Sequence, residues 1–236
     1  MNLYEIRNNL LKYKKQVFSI NEFARIIRIK KSVASVYINR MLKKKLIFRL
    51  ERGKLSLNED SFISASQIAF PAYISLSSAL YLHGIIKQVP DKIYLITSMK
   101  KKSLKIFGMD VILIKANPRL MFGYLQEKKG ESYIYLADIE KTVIDSLYFL
   151  RYCRLIYIAE AIKIANTKKL ENYALKLNKE VIIRRLGYLM DLLGIKHSLK
   201  RKNSTSYKLN HKIKSNGKFN KKWYLYVNEE VNLNAI

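Results

Sequence analysis

The chain has 236 residues, of which 49% are hydrophobic, and this excludes an intrinsically disordered protein and predicts one or two domains. Its net charge of +27 predicts a polyanionic partner, with nucleic acid as the first candidate and an acidic protein or an anionic membrane surface as alternatives. A single cysteine excludes an internal disulfide framework, and no segment resembles a secretory leader or a membrane span, so we expect a cytoplasmic protein with no membrane partner.

The chain opens with helical patterns. The spacing of apolar residues predicts a first helix from Leu3 to about Lys14, which would serve as scaffold. Ser19 and Glu22 then fit a capping box, in which the serine accepts from the first turn and the glutamate reaches back. A short helix with one apolar face follows the box, and only about four residues separate it from the next helix.

A helix predicted from Lys31 to Lys44 is the centre of this region. Its apolar residues recur at steps of three and four, and therefore share one face: Val33, Ala34, Tyr37, Ile38, Met41 and Leu42. Ser32 is expected to cap the helix. The other face offers charge for phosphates and amide and guanidinium groups for base edges, as a helix in a DNA major groove requires. The expected DNA contacts on this face are Lys30, Lys31, Ser32, Ser35, Asn39, Arg40 and Lys43.

A basic hairpin is predicted next, with strands Leu46–Leu50 and Lys54–Leu57 around a turn in which Gly53 can supply a positive φ. Residues 28–54 contain ten basic residues and one acid. We therefore predict that residues 1–58 form a winged helix-turn-helix domain that binds double-stranded DNA, and the alternative is a winged helix that docks only to protein. The expected phosphate contacts of the hairpin are Arg49, Arg52 and Lys54.

A second domain is predicted over residues 73–236, after a polar linker at 59–72. The pattern there indicates a small sheet followed by a run of helices, so the whole chain is assigned to the α+β class. His83 ends a short helix, where a lone histidine is expected to serve the helix terminus. The predicted strands are Lys92–Thr97, Ser103–Phe107, Asp110–Ala116 and Tyr133–Ala137, and the later helices are Ile139–Phe149, Leu155–Ala165, Lys168–Leu177 and Glu180–Leu193.

The C-terminal segment is basic and rich in aromatic residues. Between Leu192 and Asn228 there are ten basic residues and no acid. Two interpretations are open: a second contact with a polyanion, in which aromatic rings stack on bases, or a solvated surface with a last strand at Lys222–Val227. The aromatic residues concerned are Tyr207, Phe219, Trp223, Tyr224 and Tyr226.

Several runs in this order resemble the AbiEi-type antitoxins of type IV toxin–antitoxin systems, which are linked to abortive infection of phage-infected cells. The runs are YISLSSALYLHGI (73–85), PDKIYLIT (90–97), YLADIEKTVIDSLYF (135–149), RRLGYLMDLLG (184–194) and GKFNKKW (217–223). They extend the resemblance over nearly the whole chain.

The resemblance implies an N-terminal winged helix that binds inverted repeats in the promoter of its own operon and represses it. It also implies a C-terminal domain that opposes a nucleotidyltransferase-like toxin, without a stable complex between the two proteins. Two copies are expected on an inverted repeat. On charge alone, the expected toxin-opposing surface is Lys200, Arg201 and Lys202.

Catalysis is not expected, nor is a cofactor or a metal. Asp138 and Glu140 are expected to stabilise a helix N-terminus, and Asp145 is expected on another face of that helix. A restriction-type nuclease, addressed by the winged helix, is the alternative, with Pro90-Asp91 and Glu127-Lys128-Lys129 as its acids and lysine. Its second group, however, falls in Gln126–Ser132, which is predicted to be a loop. A protein that coats nucleic acid without sequence preference is the third possibility.

Overall fold

A computed structural model describes residues 2–13 and 15–231 and has an α+β fold. The predicted first helix ends earlier, and Lys14 lies outside the described residues, as do residues 232–236 of the predicted second domain. By contacts, the chain divides into two compact units that are each assembled from several segments: residues 1–74, 91–117 and 125–136 form unit 1, and residues 75–90, 118–124 and 137–236 form unit 2.

Unit 1 begins with a bundle of helices and a small antiparallel sheet. Their apolar side chains form one buried core, which includes Ile6, Phe23, Ile38 and Leu55. The elements are α1 (Leu3–Leu11), β1 (Val17–Ser19), α2 (Ile20–Ile26), α3 (Lys31–Lys43), β2 (Phe48–Glu51), β3 (Lys54–Ser56) and α4 (Ser61–Ser66).

The capping box at the start of α2 is confirmed. The Glu22 amide donates to Ser19 Oγ over 3.1 Å, and the Ser19 amide donates to Glu22 Oε2 over 2.7 Å. The predicted Ser32 cap is wrong, because α3 begins at Lys31 and Lys30 occupies the N-cap position without a side-chain hydrogen bond.

The hairpin is held by a strand that the sequence pattern did not predict. β3 pairs antiparallel with β2 and also with β1, so the small sheet has the order β1-β3-β2. Arg7 of α1 fastens both ends of the hairpin region, because its Nε donates to the Leu46 carbonyl over 3.1 Å and its Nη2 to the Leu57 carbonyl over 3.4 Å. Gly53 has a φ of +80°, as the turn requires.

A six-stranded mixed sheet occupies the middle of the chain, in the order β6-β7-β5-β4-β9-β8. Its centre is the parallel pair β5 and β7, whose register runs from Lys92 opposite Asp110 to Thr97 opposite Lys115. The range 59–72, predicted as a linker, contains α4 and the first residue of β4. The strands and the helix between them are β4 (Ala72–Ile74), α5 (Leu76–Leu82), β5 (Lys92–Thr97), β6 (Leu104–Ile106), β7 (Met109–Lys115), β8 (Tyr124–Lys129) and β9 (Ser132–Ala137).

The predicted loop at Gln126–Ser132 is wrong, since residues 124–129 form β8 and only the turn at 130–131 is irregular. β8 is an edge strand, and its residues 125–128 are exposed. Charged side chains are common on such edges because they discourage pairing with other chains. The polar composition therefore marks an edge strand here rather than a loop.

Unit 2 is built around helix α6, which packs against α5, α7, α8 and α9. The apolar core includes Val143, Leu147, Ile183 and Leu189. Its elements are α6 (Ile139–Tyr148), α7 (Leu155–Ile164), α8 (Thr167–Leu177), α9 (Glu180–Leu192), β10 (Tyr207–Lys208), β11 (Lys218–Asn220) and β12 (Leu225–Val227).

A small C-terminal sheet of order β10-β12-β11 closes on α9. The ring of Trp223 is 2% exposed and lies directly over Gly187, where a side chain would have no room. Its Nε1 donates to Asp191 Oδ2 over 2.6 Å. Burial alone would raise the pKa of Asp191, but hydrogen bonds from Lys222, Trp223 and His197 lower it below its usual value. Trp223 is therefore part of the core and is not available for base stacking.

Within the described part of the chain, no helix is long and apolar enough to cross a membrane.

Candidate nucleic-acid interface

Helix α3 presents a broad polar face to solvent. Its inward positions are Ala34, Ile38 and Met41, which are at most 3% exposed. The predicted contact residues on the helix and at its N-cap are all exposed: Lys30, Lys31, Ser32, Ser35, Asn39, Arg40 and Lys43.

Val33 was predicted to be on the apolar face, and this is wrong: it is 43% exposed, and Val36 is 49% exposed. Helix α3 is rotated so that the i, i+4, i+7 series starting at Ala34 points inward, which leaves Val33 among the polar residues. The exposed face therefore combines cations, an amide, hydroxyls and two apolar side chains. In a major groove, apolar groups contact the methyl group of thymine.

Helices α2 and α3 both end at a residue with a left-handed backbone conformation. Arg28, which follows the C-cap of α2, has a φ of 55°, and the next amide, of Ile29, donates to the Ala24 carbonyl over 3.0 Å. Lys45, which follows the C-cap of α3, has a φ of 54°, and the Leu46 amide donates to the Met41 carbonyl over 2.9 Å. Glycine is the usual residue at such a position, so both helix ends are formed in spite of a side chain.

The hairpin adds further positive charge. Arg49 and Arg52 are exposed and Lys54 is half-buried. Glu51 is the one acid among residues 28–54, and it forms an ion pair with Lys101. The carboxylate is thus compensated within unit 1, and the hairpin keeps its net positive charge.

The acids of the run ADIEKTVID serve the packing of unit 2. Asp138 caps α6 by accepting from the Lys141 amide over 2.7 Å, and its other oxygen accepts from the Tyr173 hydroxyl over 2.9 Å. Glu140 accepts from the Asn166 amide over 2.8 Å, and Lys169 bridges Glu140 at 2.9 Å and Asp138 at 3.1 Å. The partners therefore fasten the N-terminus of α6 to the first turns of α8.

The pKa values in this cluster follow from its contacts. Burial alone would raise the pKa of Glu140, but the Asn166 amide and Lys169 lower it below its usual value. Burial and the hydrogen bond to Asp138 raise the pKa of Tyr173 to about 12. Although burial opposes it, the bonds to Glu140 and Asp138 raise the pKa of Lys169. All of these groups are thereby fixed in their usual charge states at neutral pH.

Asp145 is completely buried and forms an ion pair with Lys141, one helical turn away and equally buried. Ser75 occupies the N-cap position of α5, but its hydroxyl donates to Asp145 Oδ2 over 2.9 Å instead of capping the helix. Ser75 therefore joins the N-terminus of α5 to the middle of α6. No local sequence pattern predicts this bond, because its partners are 70 residues apart.

The two groups of the nuclease alternative are separated in the sheet. Asp91 precedes β5, whereas Glu127 and Lys128 are on β8, and strands β4 and β9 lie between. Three strand spacings place the two groups about 14 Å apart across the sheet. Among the residues that the structure describes, no group of three histidine, cysteine or acidic side chains could hold a metal ion.

His83 is at the C-terminus of α5, as predicted, and its Nε2 is 2.8 Å from the Ala137 carbonyl. This contact gives the His83 ring a structural role, so its position is explained without a catalytic function.

The three predicted toxin-facing residues differ in their surroundings. Lys200 is exposed, and nothing in the structure gives its side chain a local role. Arg201 stacks on the ring of Tyr224 at 4.1 Å and donates to the Lys222 carbonyl over 3.2 Å. The Lys202 ammonium donates to Asn178 Oδ1 over 2.6 Å. Lys200 alone can be changed without disturbing a local contact.

Comparison with known protein families gives no match, and no curated protein matches the chain either. The fold is similar to that in the crystal structure of the RV2827C protein from Mycobacterium tuberculosis, with a TM-score of 0.59. The similarity covers 94% of this chain and 89% of that one, at 12% sequence identity. At this identity it speaks to the fold alone.

Proposed function

We propose that this chain is a DNA-binding transcriptional repressor of its own operon and the antitoxin of a type IV toxin–antitoxin system. Residues 1–58 are assigned as a winged helix-turn-helix, in which α3 enters the major groove and the β2–β3 hairpin is the wing. Residues 73–236 are assigned the role of opposing a nucleotidyltransferase-like toxin, without a stable complex. The exposed face of α3, the positive charge of the hairpin and the resemblance of residues 73–223 each support a part of this proposal.

The observation that carries the DNA-binding part is the outer face of α3. Arg40 and Asn39 are adjacent, exposed and made of the groups that read guanine and adenine edges. Lysines at the start and the end of the helix supply charge for the flanking phosphates. Since all the apolar residues needed for the core are on the opposite face, this polar face has no structural task.

The hairpin supports the same assignment. Its arginines are exposed, and its one acid is paired within unit 1. A hairpin that Arg7 fastens at both ends is a rigid support for phosphate contacts.

The antitoxin part rests on the resemblance of the second half of the chain to AbiEi-type antitoxins. The run 135–149, which carries most of that resemblance, forms β9 and α6, and α6 is the helix against which the rest of unit 2 packs. RRLGYLMDLLG and GKFNKKW meet at Gly187 and Trp223. The similar runs thus contribute to both units, since the run 90–97 forms β5 of unit 1. This supports a shared fold and leaves the toxin-opposing surface to be found by experiment.

Gel-shift titration tests the repressor. Wild-type protein should bind the DNA upstream of its own operon more tightly than a scrambled duplex of the same length, and the preference should survive increased salt. Arg40→Ala and Asn39→Ala should each weaken specific binding by about 1–3 kcal/mol, whereas Arg154→Ala, an exposed arginine of unit 2, should not. Equal binding of both duplexes that collapses with salt would instead mean charge-driven coating.

Growth rescue tests the antitoxin. Cells that express the neighbouring toxin should survive when the chain is co-expressed. If the basic segment opposes the toxin, Lys200→Glu should reduce the rescue. Lys12→Glu is the control, because Lys12 is an exposed lysine just after α1, and this variant should rescue growth as well as wild type does. Full rescue by Lys200→Glu would remove this segment from the proposal.

We propose no catalytic role, since the acids of the run 138–145 have structural partners, and in the nuclease alternative Asp91 precedes β5 whereas Glu127 is on β8, three strands away. Incubation of the chain with duplex DNA and magnesium or manganese should leave the DNA intact. Cleavage that is lost in Asp91→Ala would establish the nuclease instead.

A further inference from the structure

The small C-terminal sheet carries a cluster of three aromatic rings, which we call the aromatic platform: Phe219, Tyr224 and Tyr226. Phe219 on β11 is directly opposite Tyr226 on β12, with 5.0 Å between the ring centroids. Tyr224 contacts the same phenylalanine at 5.4 Å. The three rings therefore share one face of the sheet.

This face is outside the core of unit 2. Trp223 and Leu225, the alternate residues of the same segment, are buried on the opposite side. Phe219 is 43% exposed, and both tyrosines are partly exposed. Burial of the sheet is thus achieved by one set of side chains, and the platform is not needed to complete it.

Two features hold the platform in place. Gly217, at the start of β11, allows a close approach of the backbone at residues 227–228, where an added Cβ would lie 2.6 Å from the Asn228 Cα. Tyr224 has a φ of 50°, in the left-handed region that costs a bulky residue free energy. Tyr224 ends the turn at residues 221–224 that joins β11 to β12, so this conformation belongs to the turn that brings the two strands together.

The surroundings of the platform are cationic. The guanidinium of Arg201 is 4.1 Å above the Tyr224 ring, and Lys218 and Lys221 are exposed beside the rings in sequence. The whole segment 192–228 contains no acid. Apolar ring faces within a positive field fit a ligand that offers both flat aromatic groups and negative charge.

We propose that the aromatic platform binds single-stranded nucleic acid, with bases stacked on Phe219 and its neighbours and with phosphates held by Arg201 and the flanking lysines. A duplex does not fit this chemistry, because its bases are already stacked on one another and only their edges are open. An unpaired strand exposes the ring faces, and base–aromatic stacking is tolerant of sequence. The site is separate from the duplex-binding role proposed for α3.

The test is to compare strands with and without bases. Fluorescence polarisation measures the binding of full-length protein to labelled oligothymidylate, to oligouridylate and to an abasic strand of equal length, which keeps the phosphates. Wild type should bind at least one base-containing strand about 5- to 150-fold more tightly than the abasic strand. Repeating the measurement with oligodeoxyuridylate, which differs from oligouridylate only in the sugar, identifies DNA or RNA as the preferred source.

Phe219→Ala should lose this preference and bind all three strands alike. Phe219→Leu, which keeps apolar contact with both tyrosines, should lose most of it too, because it lacks a flat ring. Phe70→Ala is the matched control, since Phe70 is an exposed phenylalanine of unit 1. The emission of Trp223, the single tryptophan, reports whether the C-terminal sheet is intact in each variant.

Two results would overturn the proposal. Equal binding of abasic and base-containing strands by wild type would leave only charge as the attraction. A preference that survives both substitutions of Phe219 in folded protein would place base stacking elsewhere. Neither result affects the operator gel shift, in which the Phe219 variants should behave as wild type.

Discussion

Gly187 sits in the middle of helix α9 and leaves space for the ring of Trp223. A Cβ at this position would be 2.7 Å from the Trp223 Cζ3 and closer still to Cζ2 and Cη2. These atoms belong to a rigid ring that is 2% exposed, so the ring has to move as a whole. Gly187→Ala is therefore a direct test of how this part of unit 2 is held together.

Two effects of opposite sign act on this substitution. Alanine in the middle of a helix is favoured over glycine by about 1 kcal/mol. Overpacking of a filled core costs about 1–3 kcal/mol, and displacement of the ring also breaks its hydrogen bond to Asp191, which costs about 1.5–3 kcal/mol for a charged acceptor. The cost of overpacking and of the lost hydrogen bond exceeds the gain in helix propensity. We therefore expect Gly187→Ala to lower the free energy of unfolding by about 2–4 kcal/mol.

Urea unfolding followed by circular dichroism measures this change, and the emission of Trp223 reports the displaced ring in the same samples. Trp223→Leu removes the clashing atoms. Introducing Gly187→Ala into Trp223→Leu should therefore cost much less than introducing it into wild type, and the difference is the coupling free energy of the two sites. A Gly187→Ala protein that is as stable as wild type would refute the close contact.

Three further predictions concern unfolding in urea. Lys45→Gly should stabilise the protein by about 1 kcal/mol by relieving the left-handed conformation after α3, and Lys45→Ala, which keeps a Cβ there, should not. Burial alone would raise the pKa of Glu22, but hydrogen bonds from Lys15 and from the N-terminus of α2 lower it to about 2. The carboxylate thus contributes stability that is fully present above its unfolded pKa of 4.5 and is lost as the pH falls towards 2. At neutral pH, wild type should be more stable than Glu22→Gln by about 1 kcal/mol, since solvent screens this pair, and the difference should vanish as the pH falls through that range. Asp145→Asn should cost about 3–5 kcal/mol because it removes the carboxylate that pairs with buried Lys141, and Asp145→Leu combined with Lys141→Met should cost less; equal losses would contradict a charge-based penalty.

Local signals in the sequence were reliable guides to structure. The capping box at Ser19 depends on residues three positions apart, and the helix that follows Asp138 depends on a cap and an apolar period. Each of these features is specified by neighbours in the chain, so it can be predicted without knowing the fold.

Features set by distant partners were missed. β1 is three residues long and exists because it pairs with β3, far along the chain. The polar composition of β8 predicts a loop, but it reflects the place of this edge strand in the sheet, which the sequence does not reveal. The sequence around Trp223 is compatible with both core and surface, and its burial depends on the space left by Gly187, 36 positions earlier.

At the candidate DNA interface, the sequence correctly predicted which charged side chains are exposed, but it did not predict the rotation of α3 about its axis. The cations and Asn39 are exposed as expected, because charged and amide side chains seldom enter a core. Valine gives no such guarantee, and the exposure of Val33 depends on how α3 is rotated against α1 and α2. Val36 belongs to neither of the two faces predicted from the sequence, and its exposure follows from the same rotation of α3.

The order of these elements along the chain also determines which part of the protein can fold first during synthesis. The core that contains Ile6 and Leu55 is complete within the first 57 residues, so it can close as soon as that segment leaves the ribosome. Helix α5, by contrast, packs on α6, which begins about 60 residues later. At a synthesis rate of about 5–20 residues per second, roughly 3–12 s pass between the synthesis of α5 and the start of α6. Each newly made chain therefore acquires its proposed DNA-binding part seconds before its proposed antitoxin part exists.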